Sequence, residues 1–304
     1  MNTIDVKSIS KTFGTQCAVE NVSFDVYPGE IFGLLGPNGA GKTTSIRIIL
    51  DIFKPDHGTV SVFGGAMDEK KKDRIGYLPE ERGLYQEIGL EHCLVYLATL
   101  KGLSKADSQK RIREYLERFN LSEHRKKKIK ALSKGMQQKA QLIITLVHDP
   151  ELVIIDEPFS ALDPVNTQMV KDLLREERDR GKTIVMCTHQ MHQVEELCDR
   201  LVLINQGKTV LYGKLPDIQR QYAGHSINIR TQQVLPPSIS GAHTIESNNN
   251  HGNYTIHLNP GITPQNILET LVNQQVILDR FEIAAPTLDE IFIQVVTEDG
   301  AVHE

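Results

Sequence analysis

Nine residues carry the clearest chemistry in this chain: GPNGAGKTT, from Gly36 to Thr44. They set Gly36, Gly41, Lys42 and Thr43 at the spacing G-x-x-x-x-G-K-[ST], which is the pattern of a phosphate-binding loop. The loop spans Gly36, Pro37, Asn38, Gly39, Ala40, Gly41, Lys42, Thr43 and Thr44. Glycines let it turn its amides inward, and the helix that follows adds its positive N-terminus. Lys42 would reach the β- and γ-phosphates of a nucleotide, and the Thr43 hydroxyl is a ligand for Mg²⁺. A second stretch, LVIIDEP from Leu152 to Pro158, is an apolar run that ends in two adjacent carboxylates. A strand with that pattern delivers Asp156 and Glu157 to the sheet's carboxyl edge, where ligands bind. Asp156 there would hold Mg²⁺ and Glu157 would orient or deprotonate an attacking water. A third stretch, LSKGMQQK from Leu132 to Lys139, opens a helix with Ser133 and free amides, a further place for an anion.

Strands and helices must alternate to hold these pieces together. Strand-like alternation runs over Thr3–Ile9 and Val22–Val26, and IFGLLG reads as a buried strand leading into the phosphate loop. Between Gly89 and Lys130 the pattern turns helical, with Leu94, Leu97 and Leu100 at three-residue spacing. Helix, strand, helix, strand and helix follow up to RLVLIN, implying a mostly parallel sheet covered on both faces. From Gly224 onward SINIRT and YTIHLN read as strands separated by SNNNHGN, with helices after Pro264 and Thr287. Thr287 and Glu290 have capping-box spacing, and Leu288, Ile291, Phe292, Val295 and Val296 share one helical face.

The chain has 304 residues and a net charge of −5, which gives no global case for nucleic-acid binding. Charge is unevenly spread, because the segment from Gly224 has two basic and nine acidic residues. That break predicts a domain over 1–220 and a small α+β domain over 221–304. No apolar run reaches the roughly 18 residues of a membrane-spanning helix. MNTIDVKSIS lacks the basic start and apolar stretch of a signal peptide. Four cysteines without a CxxC pair fit a reduced, cytoplasmic location.

With these motifs in order, the sequence resembles the ATP-binding subunits of ABC transporters over residues 1 to about 215. LSKGMQ resembles the family's signature, SALD (Ser160–Asp163) its D-loop, and His189 in MCTHQM its switch histidine. Phe13 in KTFG matches the aromatic that stacks on adenine. The resemblance implies a P-loop NTPase fold of the ABC ATPase type, with a mostly parallel sheet, an antiparallel β subdomain and a helical subdomain at about 89–150. It implies ATP and Mg²⁺ as ligands and a second ATPase subunit bound head to tail. In such a pair, Ser133 and Gly135 serve the partner's γ-phosphate while Asp163 couples the two sites. It also implies a separate membrane-spanning permease, docked on the helical stretch, and a peripheral place at the cytoplasmic face of the membrane. Two departures stand out: Lys134 and Met136 replace a glycine and the glutamine of the signature, and Glu80 stands where the family has a metal-sensing glutamine. Both variants, with a tail ending in PTLDEIF, resemble a sodium- and drug-export subgroup.

Rival readings are weaker. Cys187, His189, His192 and Cys198 match no common zinc spacing. HRKKKIK, residues 124–130, reads as a solvated charge run. A DNA-repair ABC ATPase would insert long coiled coils between loop and signature, whereas Ser133 follows Lys42 by 91 residues without sustained heptads. A translation factor of this class would have two cassettes, and a GTPase would need an Asn-Lys-x-Asp motif.

Overall fold

The computed structural model describes residues 1–81, 83–223, 226–236, 238–247, 252–259 and 261–301, with side chains as far as residue 296. Residues 248–251, most of the expected SNNNHGN turn, lie outside the described residues. Two compact units form, Met1–Gly213 and Lys214–Glu304. The expected division after residue 220 falls inside a helix, Leu215–Gln221, that belongs to the second unit.

In the first unit the chain runs β1 (Ile4–Phe13), β2 (Gln16–Val26), β3 (Ile31–Leu35), α1 (Lys42–Ile49), β4 (His57–Val62), α2 (Glu69–Lys72), β5 (Ile75–Leu78), α3 (Leu90–Leu100) and α4 (Lys105–Arg118). It continues through α5 (Lys134–Leu146), β6 (Leu152–Asp156), α6 (Pro164–Asp179), β7 (Thr183–Thr188), α7 (Met191–Leu197), β8 (Arg200–Asn205) and β9 (Lys208–Lys214). Its larger sheet has the order β5-β6-β7-β3-β8-β9, and the pairs β5·β6, β6·β7, β7·β3 and β3·β8 are parallel. Every residue of β3, β6 and β7 is buried. A strand covered on both faces has no polar side to alternate with, which is why these three read as continuous apolar runs. A smaller antiparallel sheet, β2-β1-β4, shares one core with the first, with Ile4, Val6, Phe24 and Val26 on its side, Phe32 and Leu34 from β3, and Ile46 from α1. Phe24 and Phe32 stack with centroids 5.5 Å apart.

The helical stretch departs from its expected stripe. In α3 the buried residues are Leu90, Cys93, Leu94, Val95 and Ala98, while Leu100 is 65% exposed. Three-residue spacing drifts off a 3.6-residue helix, so the leucines slip from the core face after one turn.

The second unit holds α8 (Leu215–Gln221), β10 (Ser226–Arg230), β11 (Ala242–Ser247), β12 (Asn253–Leu258), α9 (Pro264–Asn273), β13 (Arg280–Ile283) and α10 (Leu288–Ala301). Its antiparallel sheet, β11-β12-β10-β13, packs Ile227, Ile229 and Ile256 against Ile267 and Leu271 of α9. The Thr287–Glu290 capping box forms: Glu290 Oε2 accepts from the Thr287 N–H at 2.7 Å, and Thr287 Oγ1 from the Glu290 N–H at 3.2 Å. Leu288 and Ile291 are fully buried, and Phe292, Val295 and Val296 are half-buried.

Candidate nucleotide site

The loop between β3 and α1 depends on two glycines. At Gly36, with φ +147°, a Cβ would lie 2.0 Å from the Ile204 carbonyl oxygen. At Gly41, with φ +104°, it would lie 2.4 Å from that of Ala18. Only a residue without a side chain fits either place. No side chain caps α1, and no acidic residue sits in its first turn. Its leading amides are therefore left to an external acceptor, and the helix dipole favours an anion. Lys42 is buried, and its Nζ donates to the Gly36 and Pro37 carbonyls at 2.7 and 3.0 Å, leaving a third N–H.

The loop forms one wall of a cavity of about 390 Å³. Phe13, Gln16 and Ala18 form another wall, and Glu80, Asp156 and Glu157 a third. Phe13 is 44% exposed, meets Phe53 at 68°, and has the Lys11 ammonium over its ring at 5.6 Å from the centroid. The Thr43 hydroxyl donates to Asp156 Oδ2 at 3.1 Å. Burial pushes the Asp156 carboxyl above its ordinary value; hydrogen bonds from Cys187 and Thr43 act against that, and the charge of Glu157 adds to it. The Cys187 thiol is driven far up by burial and by Asp156 itself, so it remains the donor of that pair. A hydroxyl, a buried carboxylate and the exposed Glu80 give hard oxygen donors beside a phosphate loop. That set fits Mg²⁺, which takes one or two protein oxygens together with substrate phosphates.

Glu157 follows β6 with φ +52°, an uncommon conformation for a residue with a side chain. Its Oε1 accepts from the His189 backbone N–H at 3.0 Å and lies 2.6 Å from His189 Nδ1, and its Oε2 accepts from the Thr188 hydroxyl at 3.0 Å. A carboxylate only accepts, so the proton of that ring contact sits on Nδ1. Three of roughly four acceptor positions are thus used, and one is left for a water. Glu157, Glu80 and His189 also line an adjoining cavity of about 710 Å³, walled by Ser160–Leu162.

The remaining expected residues lie elsewhere. Asp163 caps α6, its Oδ1 accepting from the Asn166 N–H at 2.9 Å, and this bond holds its carboxyl below the ordinary range. Ser133 caps α5, with Oγ accepting from the Met136 N–H at 3.2 Å. Neither Ser133 nor Gly135 lines the cavity that holds Lys42. Gly135 instead packs on Ala161, whose carbonyl oxygen would lie 2.9 Å from an added Cβ. Cys187 and Cys198 are buried, and no group of three or more His, Cys, Asp or Glu side chains placed to hold a metal ion is gathered among the described residues. Lys128 and Lys130 of the basic run are exposed and pair with Glu87. Sequence reasoning missed Thr188 and Cys187 as neighbours of the two carboxylates. The adjacency of Thr188 to His189 was the available signal, while the Asp156–Cys187 register is a tertiary fact.

Fold and site define a nucleoside triphosphatase of the phosphate-loop class. A family profile described as ABC transporter matches residues 19–160, and one described as ATP-binding protein DrrA1-3-like, C-terminal domain, matches residues 213–296. The uncharacterized ABC transporter ATP-binding protein YhaQ of Bacillus subtilis is 39% identical over 304 residues, all of both chains. Linearmycin resistance ATP-binding protein LnrL of the same organism is 35% identical over 227 residues, 74% of this chain and 73% of its own. A solved ATP-binding subunit of an ABC transporter superposes with a TM-score of 0.67 at 34% identity, covering 72% of this chain and 93% of that one. The chain belongs to the ATP-binding subunits of ABC transporters, ATPases that power transport.

Proposed function

We propose that the chain drives an exporter, with two ATPase subunits closing head to tail on ATP beneath a separate membrane-spanning permease. The observation that carries the head-to-tail reading is the separation of Ser133 and Gly135 from the cavity of Lys42. A signature that does not face its own phosphate loop is free to face another subunit's. Export as the direction is supported by the DrrA1-3-like match of the second unit and by the resistance role in the name of LnrL. No helix among the described residues is long and apolar enough to cross a membrane, which fits the proposed peripheral place at the cytoplasmic face. The helical stretch from Gly89 to Lys130 is the candidate surface for the permease.

In this mechanism Phe13 stacks on the adenine, and the loop amides with Lys42 hold the β- and γ-phosphates. Thr43, Asp156 and Glu80 hold Mg²⁺, which when bound offsets negative charge on the phosphates. Glu157 uses its free acceptor position to orient a water and take its proton. His189, fixed by Glu157 through Nδ1, turns Nε2 toward the γ-phosphate. Asp163 holds the first turn of α6 in place, after the Ala161 turn on which the signature packs, and so links the two sites.

Trans-complementation tests the pairing. Lys42→Ala spoils the phosphate loop and Ser133→Arg blocks the signature; each is inactive alone. In an equal mixture half the dimers are mixed and each has one intact site of two, so the expected rate is about a quarter of wild type. Mixed dimers verified by two affinity tags yet devoid of ATPase activity would refute the head-to-tail reading.

A further inference from the structure

Helix α5 buries an unusual set of polar side chains: Gln137, Gln138, Lys139 and Gln141. Such groups are tolerated inside only when each finds a partner. Here the partners lie outside the helix, and most are backbone carbonyls. Gln137 Nε2 donates to the Ile129 and Leu132 carbonyls, Lys139 Nζ to the Phe119 carbonyl and Asn166 Oδ1, and Gln141 Nε2 to the Glu81 carbonyl. Gln138 reaches the chemistry. Its Nε2 donates to the Glu157 carbonyl at 3.2 Å and to the Pro158 carbonyl at 3.4 Å, from a side chain in a residue only 3% exposed.

The peptide it grips is strained. Glu157 holds a left-handed conformation, which persists only where its surroundings over-determine it. On one side the Glu157 N–H donates to the Cys187 carbonyl at 2.9 Å. On the other, the Glu157 carbonyl accepts from the Ser160 N–H at 3.2 Å and from Gln138 Nε2, the one restraint among the described residues that comes from another helix. The same helix begins at Ser133, five residues earlier and about 7.5 Å along the axis, within one rigid run of helical hydrogen bonds. Whatever engages Ser133 therefore pulls, through Gln138, on the backbone that aims the Glu157 carboxylate.

We propose that Gln138 is a positioning residue for hydrolysis, tying the signature helix to the backbone of Glu157 so that engagement at Ser133 sets the aim of that carboxylate. The proposal rests on the reading of Glu157 as the group that activates water.

Gln138→Met keeps length and volume and removes both donors. The expected result is a fall in kcat of roughly 10- to 100-fold, the scale of a misplacement of about 1 Å. KM for ATP and binding of a fluorescent ATP analogue should stay near wild type. In a Glu157→Gln background the same substitution should cost nothing further, because residues that act as a unit are not additive. A merely structural role would lower both backgrounds alike, and that outcome overturns the proposal. Unchanged kcat in folded, ATP-binding Gln138→Met overturns it too. Should that variant not fold, Gln138→Leu is read by the same criteria. Near-wild-type turnover of Glu157→Gln alone would overturn the role of Glu157 and the proposal with it, whereas a null result confined to position 138 overturns the proposal alone.

Discussion

Glu157→Gln isolates the proton-accepting step with little structural cost, and the hydrogen bonds around the residue say why. An amide oxygen in place of Oε1 still accepts from both the N–H and Nδ1 of His189. The amide nitrogen in place of Oε2 meets the Thr188 hydroxyl, which turns from donor to acceptor. One bond changes direction and the buried Thr188 hydroxyl proton must turn to another acceptor, so the stability change should stay within about 1–3 kcal/mol. The charge of Glu157, which helps to push up the carboxyl of Asp156, disappears, so affinity for ATP with Mg²⁺ should hold or rise. Turnover loses its proposed general base and should fall roughly 10²- to 10⁴-fold. That corresponds to about 2.7–5.4 kcal/mol of barrier. Phosphate release under saturating ATP, paired with titration of a fluorescent ATP analogue, measures the two quantities separately. Turnover within a few-fold of wild type at intact binding would refute the assignment of Glu157. Lost binding would refute the bond-for-bond replacement.

Two further outcomes follow from the geometry. Gly41→Ala puts a Cβ against the Ala18 carbonyl at a left-handed φ; strain of about 1–3 kcal/mol should weaken ATP binding roughly 10- to 100-fold, measured by the same titration. Lys182 pairs with Asp149 and with the buried Glu177 at 2.6 Å each, and its hydrogen bond holds the Asp149 carboxyl below the ordinary 3.8. A depressed carboxyl stabilises the fold above its unfolded pKa, and that stability is lost as pH falls through the folded value. Lys182→Met should therefore lower Tm at pH 7, with the gap to wild type closing as pH drops below about 4; a gap constant with pH would sink the pairing.

Much was legible in one dimension because the physics involved is local. Gly36 to Thr44 announces a phosphate loop since a tight turn with inward amides needs glycine at set places, whatever the rest of the fold does. The buried strands IFGLL and LVIID and the Thr287–Glu290 cap follow from burial on two faces and from bonds three residues apart. Strand β11 and the edge strands β9 and β13 were not expected: their alternation is short or broken, and pairing with neighbours is what holds them extended.

The sequence by itself pointed to a phosphate loop and to a strand that ends in two carboxylates, since each is contiguous in the chain. Tertiary structure alone decided which groups surround those carboxylates. Cys187 meets Asp156 through strand register, Thr188 and His189 meet Glu157 across 31 and 32 residues, and Gln138 reaches the Glu157 backbone from another helix. It also placed Ser133 and Gly135 outside the cavity of Lys42. Such contacts depend on how strands and helices stack, and stacking is set by the whole core rather than by any residue's neighbours in the chain.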